Sequence, residues 1–251
     1  MTSAKALTRT PGRSYVRCQS CHPKRDTIDL SLALEQHAVY CSTLRDLGLE
    51  VVTLPPDERH PDACFVEDTA VIHRGKALIC RPGVESRRGE EATISGVLAQ
   101  YLTLKRAESP ATIEGGDVVH FEDRLLSGLS QRTNAEGVRQ MSEWLEVEVA
   151  TIEDPEIMHL KSYITYLARD TVIATRAYAD DPSLAGMNVL VVPRGDEYAA
   201  DTLTIDDTVL MPAGRERAHE LVREAGFKVI ALDMSEIEKC DGAMSCLSLI
   251  F

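Results

Sequence analysis

Three residues far apart in the chain, Cys246, His159 and Glu114, have the types that nucleophilic thiol chemistry requires. A thiolate attacks carbon, an imidazole carries protons to and from the reacting atoms, and a carboxylate orients and stabilises that imidazole. Asp62, Glu67 and Asp68 crowd into Asp62-Ala63-Cys64-Phe65-Val66-Glu67-Asp68, where a strand should be apolar. Such carboxylates accept hydrogen bonds from a cationic group and neutralise its charge. They would repel the oxyanion that develops on a peptide carbonyl, so a cationic substrate suits the set better than a peptide. Each residue alone also has a bland reading. Cys246 lies in the apolar, strand-like run from Ala243 to Phe251 and fits a core filler; His159 fits a satisfied core or surface histidine; Glu67 and Asp68 fit solvated edge positions.

The elements that must position these residues repeat along the chain. Amphipathic stretches Leu30 to Leu47, Arg88 to Tyr101, Asn134 to Leu145 and Gly214 to Ala225 predict helices, and each leads into a short strand pattern. Hairpin-like pairs follow: Ala63 to Val71 with Lys76 to Arg81, Thr112 to His120 with Arg124 to Leu129, Met158 to Ala168 with Thr171 to Arg176, and Leu203 to Ile205 with Thr208 to Met211. Turn signals Arg74-Gly75, Glu122-Asp123, Arg169-Asp170 and Asp206-Asp207 separate the members of each pair. Comparable points fall near residues 67, 115, 160, 203 and 246, a period of about 45 residues that suits one strand-helix unit. The last unit stops without a helix, while the N-terminus offers a strand, Ser14 to Arg17, followed by an unclaimed helix. The pattern predicts a single domain over residues 1–251, closed into a ring in which the two termini complete one unit. Glu114, His159 and Cys246 then occupy equivalent inner ends of three units and meet at the axis. The fourth inner end, Asp201-Thr202-Leu203-Thr204-Ile205, offers no base or nucleophile. The paired glycines Gly115-Gly116 predict a close backbone approach or a positive φ.

The chain has 251 residues, 44% hydrophobic and 27% charged, with no apolar run near the roughly 20 residues that span a bilayer. A formal charge of −13 argues against a nucleic-acid surface and is compatible with attracting a cationic small molecule. Residues 1–12 lack the continuous apolar core of a signal peptide, and seven cysteines, an odd number, fit a reducing compartment better than a disulfide framework, so a cytoplasmic setting is expected.

Six blocks, in order along the chain, resemble dimethylarginine dimethylaminohydrolase: Phe65-Val66-Glu67-Asp68-Thr69-Ala70-Val71, Arg81 to Glu90, Ile113-Glu114-Gly115-Gly116-Asp117-Val118, Gly128 to Asn134, His159-Leu160-Lys161-Ser162, and Asp241-Gly242 with Ser245-Cys246. The resemblance implies an α/β fold, the five-bladed α/β-propeller or pentein, which agrees with the ring read from the repeats. It implies hydrolysis of an Nω-methylated arginine, asymmetric dimethylarginine or monomethylarginine, to citrulline and an amine, through a covalent thiouronium on Cys246. His159 and Glu114 complete the catalytic set, with no cofactor and no metal. Glu67 and Asp68 are expected at the guanidinium end; Arg87 and Arg132 at the substrate carboxylate, with Arg88 a competitor for the first; Asp62 near the substrate amine; and Gln19 and Cys240 among the substrate contacts. The expected partner is the small-molecule substrate alone, with no nucleic acid or membrane, in a monomer or homodimer.

Other readings compete. Cys18-Gln19-Ser20-Cys21-His22 matches the attachment pattern of c-type haem, which needs export, and could instead form a redox pair or half a zinc site, for which no second paired-cysteine motif exists. In the family this stretch is a flexible loop that lids the pocket, commonly with leucine near Gln19, a departure that bears on lid contacts. A related pentein hydrolase or deiminase acting on another guanidine or ureido amino acid such as arginine is the alternative enzyme. Arginine and agmatine deiminases are usually longer. A ring-shaped binding protein of this fold would lack both Cys and His.

Overall fold

A 3-10 turn, an antiparallel strand pair, a crossover and a third strand parallel to the second make up the recurring unit of this chain. The structure, a computed structural model, describes residues 4–251. Among those residues the strands form five three-stranded sheets, one for each repeat. The helices are α1 (Leu30–Asp46), α2 (Glu91–Leu98), α3 (Ala135–Leu145), α4 (Glu216–Glu224) and the single-turn α5 (Ser235–Glu238). Four of the crossovers run through α1 to α4. The third unit crosses from Thr171–Ala174 to Asn188–Val191 through only a 3-10 turn, Pro182–Leu184.

Local chemistry sets these elements. The Asp29 side chain accepts the Ser31 and Leu32 N–H groups and starts α1, whose Ala33, His37, Tyr40, Cys41 and Leu44 are buried. Asn134 caps α3 in the same way through the Gly137 N–H. The expected helix from Arg88 to Tyr101 is shorter, because Arg87 to Glu90 form a turn around a buried ion pair before α2 begins. Arg74-Gly75 and Arg169-Asp170 adopt positive φ, the geometry that matches the twist of a tight hairpin.

Three sequence expectations change. The N-terminal strand is Lys5–Arg9, and Ser14 to Arg17 lie in a 3-10 turn, because the Glu58 carboxylate takes the Arg13 and Ser14 N–H groups that a strand would present to a neighbour. Cys246 is in a 3-10 turn, Ser245–Leu247, just ahead of the strand Ser248–Ile250. The first strands of the hairpins are short, Ala70–His73 and Val118–His120, with the chemical residues on the turns that precede them.

The termini do complete one sheet: Lys5–Arg9 lies between Ser248–Ile250, antiparallel, and Glu50–Leu54, parallel. Apolar side chains pack in clusters within each unit, as where Val138 and Met141 of α3 join Leu78 and Leu125. The 3-10 turns gather around the axis and are stitched from unit to unit by acids that accept backbone N–H groups: Asp68 from Gly116 at 3.0 Å, Asp117 from Leu160 at 3.0 Å, and Asp201 from Ser245 at 2.8 Å. Buried N–H groups need such partners, so the polar centre is a structural requirement of closure as well as a site for chemistry.

Candidate active site

Glu114 precedes the turn Gly115–Asp117, His159 precedes the turn Leu160–Ser162, and Cys246 is the middle residue of its own turn. The equivalent placement read from the repeats holds for Glu114 and His159; Cys246 sits two residues further along its unit, inside the turn that Met244 precedes. His159 and Cys246 line a cavity of about 260 Å³ together with Glu67, Lys161, Asp201 and Tyr198. On the other side the same two residues line a chamber of about 30 Å³ with Gln19, Asp62, Asp68, Arg87, Arg132 and Cys240.

Glu114 is fully buried; its Oε2 meets His159 Nε2 at 2.8 Å and its Oε1 accepts the Gly83 N–H at 2.9 Å. Burial works against a charged His159, but Asp68, Glu114 and Asp117 outweigh it and push its pKa up to about 9. Asp68 is buried too, yet the His159 charge and Arg87 hold its carboxyl down at about 2. Burial pushes the Cys246 thiol well above its usual range, and Asp201, Glu67 and Asp68 add to the effect. These shifts favour imidazolium and neutral thiol for the pair near neutral pH.

Gly115 and Gly116 serve close approach, without positive φ. A Cβ on Gly115 would lie 2.1 Å from the Glu67 carbonyl oxygen, and one on Gly116 would lie 2.7 Å from both His159 Nδ1 and Asp68 Oδ1.

The carboxylates and arginines are more engaged than their sequence suggests. Glu67 and Asp68 are buried, so the solvated-edge reading fails. Glu67 accepts Lys161 Nζ at 2.5 Å and Ser245 Oγ at 2.7 Å. Asp68 pairs with Arg87 Nη1 at 2.7 Å, and the rest of the Arg87 guanidinium donates to Glu90. Arg87 is the buried member of its pair and Arg88 the exposed one. Arg132 Nη1 is different: it is buried with no hydrogen-bond partner, 3.7 Å from Glu114. Asp62 accepts the Gln19 N–H at 3.1 Å, and the Gln19 side chain donates to Ser86 Oγ.

Cys240 lines the chamber, but its sulfur is bonded to Cys18, so it offers no thiol to a substrate and the expectation of few disulfide constraints is corrected. The same bond removes Cys18 from any pairing with Cys21, which is an exposed free thiol, and so ends the haem, zinc and redox-pair readings of Cys18-Gln19-Ser20-Cys21-His22. The loop is tied down as well: Ser20 Oγ donates to the Lys239 carbonyl, Cys21 N to Asp241, and Asp29 N to Glu236. Asp68, Glu114 and His159 put donor atoms within 4.8 Å of one another, a spacing that would suit a metal, but each is already engaged: Glu114 by His159, Asp68 by Arg87 and the Gly116 N–H.

Sequence reasoning missed Lys161 and Asp201, both of which line the cavity beside Cys246. The signal for Asp201 was an acid just ahead of the first strand of its hairpin, as Asp68 and Asp117 stand ahead of theirs.

Residues 17–178 match the family model described as N,N dimethylarginine dimethylhydrolase, eukaryotic. The chain is 38% identical to N(G),N(G)-dimethylarginine dimethylaminohydrolase of Pseudomonas aeruginosa, with 98% of each chain covered. The chain belongs to the dimethylarginine dimethylaminohydrolase family. A second relative with the same name, from Streptomyces coelicolor, is 36% identical, with 99% of this chain and 97% of the relative covered. Among solved structures, a cysteine-to-serine variant of the Pseudomonas aeruginosa enzyme complexed with citrulline superposes with a TM-score of 0.96 at 36% identity over 100% of both chains. A histidine-to-glycine variant of dimethylarginine dimethylaminohydrolase, as an adduct with S-methyl-L-thiocitrulline, gives 0.94 at the same identity and coverage. The family's α/β-propeller is thus the fold of this chain.

Proposed function

We propose that this protein hydrolyses an Nω-methylated arginine, asymmetric dimethylarginine or monomethylarginine, to citrulline and dimethylamine or methylamine. The observation that carries the reading is the meeting of Cys246 and the Glu114-bound His159 in one cavity of a chain of this family. Resonance makes the guanidinium carbon a poor electrophile, so a thiolate is needed. The resting thiol is neutral, and the cationic substrate supplies the missing ingredient: its charge beside Cys246 lowers the thiol pKa and the proton leaves to solvent.

Cys246 Sγ then bonds to the guanidinium carbon. His159, charged at neutral pH, donates its proton to the departing amine as the C–N bond breaks, leaving a cationic S-alkylthiouronium. Neutral His159 takes a proton from water and the resulting hydroxide adds to the same carbon; as the C–S bond breaks, the new hydroxyl loses its proton to solvent, giving citrulline and the thiolate. Glu114 keeps the imidazole oriented through both transfers.

Asp68 and Glu67 receive the guanidinium end, Glu67 with its charge shared by Lys161. Arg132, with its unpartnered Nη1, takes the substrate carboxylate, and Asp62 the amine; Arg87 acts chiefly by fixing Asp68. Gln19 and the Cys18–Cys240 bond close the chamber over the amino-acid end. The chain works as one catalytic domain over residues 1–251, as a monomer or homodimer, in the cytoplasm; five of the seven cysteines are free, and the Cys18–Cys240 bond is the observation that opposes that setting.

Incubation with asymmetric dimethylarginine, monomethylarginine and arginine in separate reactions tests the reading. Citrulline and the methylated amine are expected from the first two, with none from a Cys246→Ser variant. Equal or faster citrulline release from arginine, or full activity without Cys246, would overturn it.

A further inference from the structure

The three acids that stitch the ring are not equivalent electrically. Asp68 gives its charge to Arg87 at 2.7 Å, and Asp117 takes the Ser130 hydroxyl at 2.7 Å and lines neither cavity. Asp201 is 2% exposed, lines the cavity with Cys246, and has no cation at ion-pair distance among the described residues. Its Oδ1 accepts the Ser245 N–H at 2.8 Å and its Oδ2 lies 3.2 Å from Ser245 Oγ, so both oxygens hold the residue next to the nucleophile. Ser245 Oγ also donates to Glu67, which is bound by Lys161. The turn presenting Cys246 thus hangs from two carboxylates of two other units.

We propose that Asp201 is a positioning residue for the nucleophile: its carboxylate clamps the turn that carries Cys246, and its charge sets how readily that thiol ionises and how tightly a cationic guanidine is held. The guanidine half rests on the proposed function; the thiol half does not. The groups facing Asp201 are Glu67 from the first unit, Lys161 from the third, Tyr198 from the turn before it, and Cys246 from the fifth. Burial raises the Asp201 carboxyl to about 7, with Glu67 adding to the rise and Ser245 and Lys161 opposing it. It therefore changes charge across the neutral range. Ionised, it holds a proton on the thiol but attracts the substrate cation; protonated, it does neither and still clamps Ser245. One charge acts in opposite directions on free enzyme and complex, which purely structural support would not do.

Asp201→Asn separates the roles, because the amide oxygen keeps the acceptor for the Ser245 N–H while the charge is lost. The readouts are iodoacetamide alkylation of Cys246 against pH, followed on the C-terminal peptide by mass spectrometry, and kcat and KM for asymmetric dimethylarginine. Above neutral pH the Asn variant should alkylate about three- to tenfold faster than the parent, with the difference vanishing below about pH 6, where the parent's Asp201 is itself protonated. KM should rise about tenfold with kcat within about threefold. Asp201→Ala, which loses the clamp, should lower kcat about a hundredfold. Superimposable alkylation profiles for Asn and parent, or a kcat for Asn as low as for Ala, would overturn the proposal. Should the Ala variant fail to fold, the isosteric Asn variant decides alone. If the parent releases no citrulline, the proposed function falls while the alkylation comparison still tests Asp201.

Discussion

Replacing Glu114 by Gln preserves the outline of the fully buried side chain and removes the charge that holds His159 Nε2 at 2.8 Å. The imidazole is raised from an ordinary 6.5 to about 9, a difference on the order of 3 kcal/mol between its two protonation states. Burial pulls the other way and Asp68 and Asp117 remain, so the variant's imidazole should titrate at roughly 7–8. At pH 8 the charged fraction would then fall from about nine-tenths to somewhere between about a tenth and a half. Since the charged form donates the proton to the leaving amine, the basic limb of kcat should move from near pH 9 toward neutrality. The maximum should also drop by about a hundredfold or more, the usual share of a positioned acid-base group. Stability supplies an independent check. A group whose folded pKa is raised contributes fully below its unfolded value, near 6.5, and loses that contribution as pH climbs through about 9. Glu114 itself is held below its ordinary 4.5, because His159 and Arg87 outweigh burial, so its contribution is present above that pH and lost below it. The gap in urea midpoint between parent and Glu114→Gln should therefore be widest between roughly pH 4.5 and 6.5 and narrow steadily toward pH 9. A basic limb that stays in place, or a gap that is flat or grows between pH 6.5 and 9, would refute the reasoning.

Arg132→Gln should raise KM for methylarginines about ten- to a hundredfold with little change in kcat, because Nη1 makes no hydrogen bond within the protein; a lowered kcat at unchanged KM would place Arg132 outside the carboxylate site. Gly116→Ala, which drives a Cβ to 2.7 Å from His159 Nδ1 and Asp68 Oδ1, should cost about 1–3 kcal/mol in a denaturant titration and most of the activity. Reduction of Cys18–Cys240 opens a tie between residues 222 apart in sequence, worth up to about 5 kcal/mol by loop-closure entropy, and should lower the melting temperature and raise KM through a loosened lid. Asp68, held near pH 2, stabilises the fold above its ordinary 3.8, so Asp68→Asn should be less stable than the parent at neutral pH, and the difference should disappear in titrations taken down toward pH 2.

The ring and the meeting of Glu114, His159 and Cys246 were legible in the sequence because both depend on local periodicity: turn residues, helix caps and the placing of these three residues near the starts of their units. The N-terminal strand was misplaced because Ser14 to Arg17 and Lys5 to Arg9 are equally strand-like, and the choice is made by Glu58, a residue far along the chain. The Cys18–Cys240 bond could not be read, since an odd set of cysteines gives no pairing and the two meet only when the ring closes. Asp201 was passed over for a related reason. Its importance lies in what surrounds it, Ser245, Glu67 and Lys161 from other units, while its own segment looks like an ordinary polar strand start. The engagement of Arg87 by Asp68 and Glu90 likewise depends on burial, and burial is where residue type alone stops informing.

The seam strand Lys5–Arg9 has a consequence for biosynthesis. Its hydrogen bonds to Ser248–Ile250 join the earliest described strand to the last, with the Lys5 and Phe251 backbones bonded in both directions. A nascent chain can form the sheets of the middle units as they emerge, but the strand at residue 5 waits for nearly the whole chain before its second neighbour exists. Ring closure and the arrival of Cys246 beside His159 are then one event, so a chain arrested before the last turn is expected to be an arc without activity. The same seam invites circular permutation: a short linker from Phe251 to Lys5, with new ends at the Arg169-Asp170 turn, would put Cys246 mid-chain and let the seam form as a local hairpin, with faster folding expected.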